Sequence, residues 1–122
     1  MEKQSKKIAV LILNWNGVKL LQKYLASVVK FNSSEAEIFI VDNASEDDSI
    51  VFLKNTYPDI KRIEFNNNYG FAKGYNKAIN LISHEYVVLL NSDVRVSENW
   101  LVAPIEFLNS NIDYGACQPK IL

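Results

Sequence analysis

Four short segments gather the side chains able to do chemistry: Asn14-Trp15-Asn16-Gly17, Asp42-Asn43, Asn66 to Asn68, and Asn91-Ser92-Asp93. Asp93 follows an apolar run and suits a hard divalent cation such as Mg²⁺ or Mn²⁺. Such ions are often held by one or two carboxylates together with the phosphate oxygens of a substrate. Asp42 can accept hydrogen bonds from a base or a ribose. Trp15 can line a pocket or simply pack. Gly70 and Gly74 form a loose glycine pair opening a helical pattern, where backbone amides can approach an anion. Lys73 and Lys77 lie on that pattern and suit a diphosphate, although a solvated helix face explains them equally simply. One segment of this kind is ordinary turn chemistry. Four of them, carrying two carboxylates and aromatic side chains, point to a site.

The elements that position these segments alternate strand with helix. Ile8 to Leu13 (IAVLIL) is a continuous apolar run, read as a strand buried on both faces. Leu21, Tyr24, Leu25 and Val28 predict an amphipathic helix over 18–31. Glu37 to Val41 is a second strand. Ser45 and Asp48 read as a capping box opening a helix that Pro58-Asp59 ends. Ile60 to Phe65 is a third strand, followed by a helix carrying Phe71, Tyr75, Ala78, Ile79 and Ile82. Tyr86 to Leu90 is a fourth strand, read as strongly buried. Ser97-Glu98 then caps a helix that Pro104 should kink or shorten, and Tyr114 to Leu122 reads as a fifth strand.

This alternation implies right-handed βαβ units: an α/β, Rossmann-like, mostly parallel sheet with helices on both faces. Every polar segment then falls at a strand's carboxyl end, where open sheets of this class bind ligands.

Composition narrows the possibilities. The 122 residues fit one domain, 1–122. The charge sum, 13 basic against 14 acidic residues, argues against a general polyanion-binding surface and hence against nucleic acid. His84 and Cys117 are the only histidine and cysteine, which excludes multi-histidine and cysteine-rich metal sites. His84, at the wrong end of the sheet, is read as structural or on the surface, and Cys117 as buried and inert. No apolar run approaches the roughly 18 residues of a membrane span, and residues 1–7 lack a secretory pattern, so a cytoplasmic setting is expected. The first strand is not followed by G-x-G-x-x-G, and no P-loop is present. The chain stops in the apolar segment Lys120-Ile121-Leu122, which reads as a cut in a longer protein. An apolar face opened by such a cut could pair two copies.

The four segments resemble, in order, those of the family 2 glycosyltransferases. Val10 to Gly17 (VLILNWNG) is similar to that family's first strand and loop. Ile40 to Ser49 (IVDNASEDDS) is similar to its V-D-N-x-S-x-D-x-S segment, and Asn68 to Asn76 (NYGFAKGYN) to its N-x-G-F-A-x-G-x-N segment. Leu89 to Val94 (LLNSDV) is similar to the segment holding the D-x-D motif. The resemblance implies the N-terminal part of a GT-A fold and an inverting transfer of sugar from a UDP- or dTDP-linked donor to a polysaccharide or glycolipid acceptor. It implies that Asp42 meets the base, with Asn43 beside it, and that Asn14, Trp15 and Asn16 flank base and ribose. Asn68, Gly70 and Lys73 would approach the ribose and diphosphate, with Asn91 and Asp93 at the diphosphate and Asp93 holding Mn²⁺ or Mg²⁺. The N-W-N-G and G-F-A-x-G-x-N variants look most like a subgroup that includes rhamnosyltransferases. The full protein would be cytoplasmic or peripheral on the inner face of the membrane.

Two departures qualify the match. Asn91 replaces the first D-x-D acid, so a single carboxylate is left to hold a metal until the nucleotide adds oxygens. The family's general base lies in a later part of the domain, and Glu98, Glu106 and Asp113 fall at no matching position, so no catalytic base is assigned within 1–122. A non-catalytic nucleotide-binding module and a nucleotidyltransferase are the alternatives. The loop after the first strand lacks the glycine-rich, basic character of the latter.

Overall fold

The computed structural model describes residues 6–119. Its element order is β1 (Ile8–Asn14), α1 (Val18–Lys30), β2 (Ala36–Asp42), α2 (Ser49–Thr56), β3 (Lys61–Glu64), α3 (Phe71–Ile79), β4 (Tyr86–Leu90) and α4 (Val102–Ser110). The four strands form one sheet in the order β3-β2-β1-β4, and every pair is parallel. The expected α/β architecture is therefore present.

The side-chain alternation of β1 and β2 divides the core in two. Ile8, Val10, Ile12, Ile38 and Ile40 face one layer, where Leu21, Leu25 and Val28 of α1, Leu53 of α2 and Leu101 beside α4 cover them. Ala9, Leu11, Phe39 and Val41 face the other, covered by Tyr75 and Ala78 of α3. Helices thus lie on both faces. The run IAVLIL is apolar throughout because β1 is central and buried on both sides.

Several local expectations give way. Among the described residues β4 is an edge strand, paired on one side only, with β1, and Leu89 is 52% exposed. The Ser45–Asp48 capping box does not form, because the Ser45 hydroxyl donates to Asp42 instead and α2 starts at Ser49 with no side-chain cap. Ser97-Glu98 does not cap α4, which begins at Val102. Pro104 is its third residue, where no intrahelical N–H is needed, so the first turn accommodates it. Residues 114–119 form no strand, and the remainder of the predicted fifth strand, 120–122, lies outside the described residues. Cys117 is exposed, not buried, with its thiol directed at the Pro104 carbonyl at 3.6 Å. His84 does prove structural: its Nε2 meets Glu37 Oε1 at 3.0 Å and its ring stands edge-on to Phe39. Among the described residues, no helix is long and apolar enough to cross a membrane.

Candidate functional site

Chain order fixes where a crevice must open. β1 to β3 are laid down outward on one side, and the chain then returns to place β4 on the other side of β1. In such sheets the crevice lies beyond the carboxyl ends of the two strands at which the order reverses. Here those strands are β1 and β4, whose pairing stops at Ile12 and Leu90. A hollow of about 300 Å³ opens there, lined by Leu13, Leu20, Phe71, Tyr75 and the segment Asn91–Asp93. Two larger hollows of about 430 and 620 Å³ flank α4. Neither touches a strand's carboxyl end or the four polar segments, so their volume carries less weight than the chemistry of the smaller one.

On the β2 side of β1 the polar residues form one network. Asn14 and Asp42 are register partners, and the Asn14 amide donates to Asp42 Oδ1 at 2.9 Å. The Ser45 hydroxyl donates to the same oxygen at 2.6 Å, and the Ser45 N–H donates to Oδ2 at 2.9 Å. Asp42 is 3% exposed, and its carboxylate accepts three bonds. About four acceptor positions are available to a carboxylate, so one remains on Oδ2. The Ser45 hydroxyl also accepts the Asn16 N–H, while Asn16 Oδ1 accepts the Glu46 N–H at 2.7 Å. The loop after β1 is thereby tied to the loop after β2, with Asn16 in a left-handed conformation at φ 49°. Trp15 is left 56% exposed at the rim.

Asp47 completes this side. Its carboxylate accepts the Val18 N–H at 3.0 Å and the Ser49 N–H at 3.0 Å. It caps the first turn of α1 from another loop, where a negative charge opposes the helix dipole. Burial pushes the Asp47 carboxyl upward, but the Ser49 hydroxyl and the Val18 and Ser49 amides outweigh it and hold the group below the usual aspartate range.

Asn43 works toward α3. Its amide donates to the Gly70 carbonyl at 3.0 Å, and its Oδ1 accepts the Tyr69 N–H at 3.4 Å. Asn68 Oδ1 accepts the Gly70 N–H at 2.9 Å. Gly70 adopts φ 79°, ψ −170°, a region reserved almost wholly for glycine. Gly74 allows close packing of α3, since a Cβ there would stand 3.1 Å from both Leu13 Cδ1 and Asn43 Nδ2. Lys73 and Lys77 both stand over the Tyr69 ring, 5.3 and 4.5 Å from its centroid.

The sequence-predicted residues thus fall into two groups on one sheet edge. Asn14, Asn16, Asp42, Asn43, Asn68 and Gly70 are joined through hydrogen bonds, directly or through Ser45 and the Tyr69–Gly70 backbone. Asn91 and Asp93 stand across the crevice, on its β4 side. Lys73 lies on the exposed side of α3 and joins neither group. Among the described residues, no three acidic, histidine or cysteine side chains cluster for a metal, and Asp93 makes no ion pair. An exposed carboxylate of this kind fits a hard cation only where a ligand brings further oxygens. Ser45, Asp47 and Tyr75 were not predicted as site residues. The D-N-x-S spacing could have indicated Ser45, because a serine three residues after an aspartate can return a bond to it.

Residues 9–119 match the family model described as Glycosyl transferase family 2. The chain belongs to this family. It is 29% identical over 111 residues to the poly-beta-1,6-N-acetyl-D-glucosamine synthase of Staphylococcus epidermidis, covering 89% of this chain and 27% of the synthase. It is 33% identical over 90 residues to an uncharacterized glycosyltransferase of Nostoc sp., covering 71% of this chain and 28% of that protein. The chain therefore spans little more than a quarter of the relatives it matches. Among solved structures, S. aureus TarS 1-349 in complex with UDP-GlcNAc superposes with a TM-score of 0.74 at 22% identity, covering 93% of this chain and 37% of that one. A mannosyltransferase of Pyrobaculum calidifontis in complex with GDP-Man and Mn²⁺ superposes with a TM-score of 0.73 at 22% identity, covering 84% and 32%. The family 2 domain thus has the GT-A fold.

Proposed function

We propose that this chain is the donor-binding part of an inverting, metal-assisted glycosyltransferase that uses a UDP- or dTDP-linked sugar to build a polysaccharide or glycolipid. The observation that carries the reading is that the carboxyl ends of β2, β1 and β4 set Asp42–Asn43, Asn14 and Asn91–Asp93 along one edge of the sheet, with a hollow of about 300 Å³ beside Asn91–Asp93. In this reading Asp42 accepts an N–H of the base through its remaining Oδ2 position, and exposed Trp15 and Asn16 flank base and ribose. Asn68, Gly70 and Lys73 approach the ribose and diphosphate from the start of α3. Asn91 and Asp93 hold the diphosphate end, with Asp93 as the chain's ligand to Mn²⁺ or Mg²⁺. A bound cation would supply charge stabilisation for the departing diphosphate.

The base that takes the acceptor's proton lies, in this reading, outside 1–122. The known ligands of the structural relatives, UDP-GlcNAc and GDP-Man, support a nucleotide-sugar donor as a class. The N-W-N-G and G-F-A-x-G-x-N variants favour a rhamnosyltransferase-like subgroup. Acceptor binding would place the whole protein in the cytoplasm or against the inner face of the membrane. Asn91 in place of an acid favours one second reading, a nucleotide-binding module without catalysis. Calorimetric titration with UDP, dTDP and GDP, each with and without Mn²⁺, tests the proposal. Metal-enhanced binding of a uridine or thymidine nucleotide supports it, and absence of binding by the folded chain overturns it. Sugar release from the matching donor by a longer protein separates the enzyme from the module.

A further inference from the structure

Tyr75 is 2% exposed in an otherwise apolar layer, yet its hydroxyl has two partners. It accepts the Leu13 N–H at 3.3 Å and donates to the Leu90 carbonyl at 3.2 Å. Leu13 is the next residue of β1 after its last pairing with β4, and Leu90 ends β4. One side chain therefore joins the two strands at the point where they part. Gly74 favours the close approach of α3, because a Cβ there would stand 3.1 Å from Leu13 Cδ1 and Asn43 Nδ2 and both side chains would have to give way by a few tenths of an ångström. Phe71, edge-on to Tyr75 at 5.0 Å, holds the ring from the crevice side. Packing alone would be satisfied by phenylalanine, so what the hydroxyl adds is the bridge.

We infer that Tyr75 is a positioning residue whose hydroxyl sets the separation between the two walls of the crevice. The end of β1 and the loop after it carry Asn14, Trp15 and Asn16, and the loop after β4 carries Asn91 and Asp93. A ligand spanning both loops needs them at a fixed distance, and misplacement by about 1 Å is costly in sites of this kind. Loss of the hydroxyl would leave a half-buried N–H and a buried carbonyl without this partner, and the walls would shift or admit water to compensate. The inference rests on the crevice being a nucleotide-sugar site that engages both loops.

The test compares the wild-type chain with Tyr75→Phe by calorimetric titration of UDP with and without Mn²⁺, alongside urea unfolding. Tyr75→Phe is expected to cut the Mn²⁺-dependent gain in UDP affinity roughly three- to tenfold, more than it cuts affinity without metal. A merely structural role would lower both in the same proportion. Wild-type metal enhancement retained in full by Tyr75→Phe overturns the inference and leaves the donor-site reading standing. Absence of UDP binding by the wild type overturns that reading and the inference with it. A second measurement needs no variant: in the wild type with UDP, Mg²⁺ should slow hydrogen exchange of the Leu13 amide. Exchange unaffected by Mg²⁺ overturns the inference even if Tyr75→Phe fails to fold.

Discussion

Asn14 and Asp42 face each other as the last register pair of β1 and β2, and the amide of one donates to the carboxylate of the other at 2.9 Å. Both side chains are almost fully buried, at 1% and 3% exposure, at a strand edge where polar groups usually meet water. The pair turns the ends of two adjacent strands into a single polar unit, and Ser45 closes it.

Asp42→Asn keeps the shape and removes the charge, setting an amide against donors it cannot accept from at every position. We expect a loss of about 1–3 kcal/mol in urea unfolding and at least a tenfold weaker affinity for UDP or dTDP, with or without metal. Equal nucleotide affinity in variant and wild type would remove Asp42 from the site.

Asp93→Ala should behave in the opposite way. The side chain is exposed and unpaired among the described residues, so stability should stay within about 0.5 kcal/mol of wild type. The enhancement of nucleotide binding by Mn²⁺ should disappear. Enhancement that survives the substitution would show that the metal is held elsewhere.

Gly17→Ala probes the packing beneath the first loop. An added Cβ would come within 2.6 Å of Asn14 Oδ1, and Asn14 is already pinned by its bonds to Asp42 and Ser45. A cost of about 1–3 kcal/mol is expected, together with weaker nucleotide binding. A variant as stable as wild type would mean that Asn14 is free to move.

Stability should also depend on pH in the acidic range. Burial raises the Glu37 carboxyl, but the Lys61 and His84 bonds outweigh it, and the group ends below the usual glutamate range. Asp47 is lowered as well. A carboxyl held lower in the folded state stabilises the fold above its unfolded pKa, and that contribution is lost as pH falls through the folded value. Urea unfolding from about pH 7 to pH 3 should show declining stability, and Glu37→Gln should flatten the decline. An unchanged slope in Glu37→Gln would assign the effect to other groups.

The strands were legible because burial leaves an unmistakable trace: IAVLIL can only be a strand covered on both faces or part of a buried helix, and its length decides the matter. The polar strand ends were legible for the same reason, standing out against apolar runs. β4 misled because YVVLL is as apolar as a central strand, while its edge position follows from chain order and not from composition. Ser45 misled because a serine can cap a helix or bind a neighbouring carboxylate, and only the fold brings Asn14 and Asn16 close enough to decide. The part played by Tyr75 left no trace in sequence, since its helical spacing marks it only as core.

The strand order has a consequence for how the molecule assembles. Joining β4 to β1 matches Ile8 with Tyr86, so this pair closes over most of the chain, whereas β1 with β2 and β2 with β3 close over single helices. Closing the longest loop carries the largest entropic penalty, and non-local pairings of this kind form late. The crevice exists only after that closure. Partly assembled chains would hold α1, α2 and their strands yet lack one wall of the crevice, so capture of a ligand would report completed folding where helix content would not.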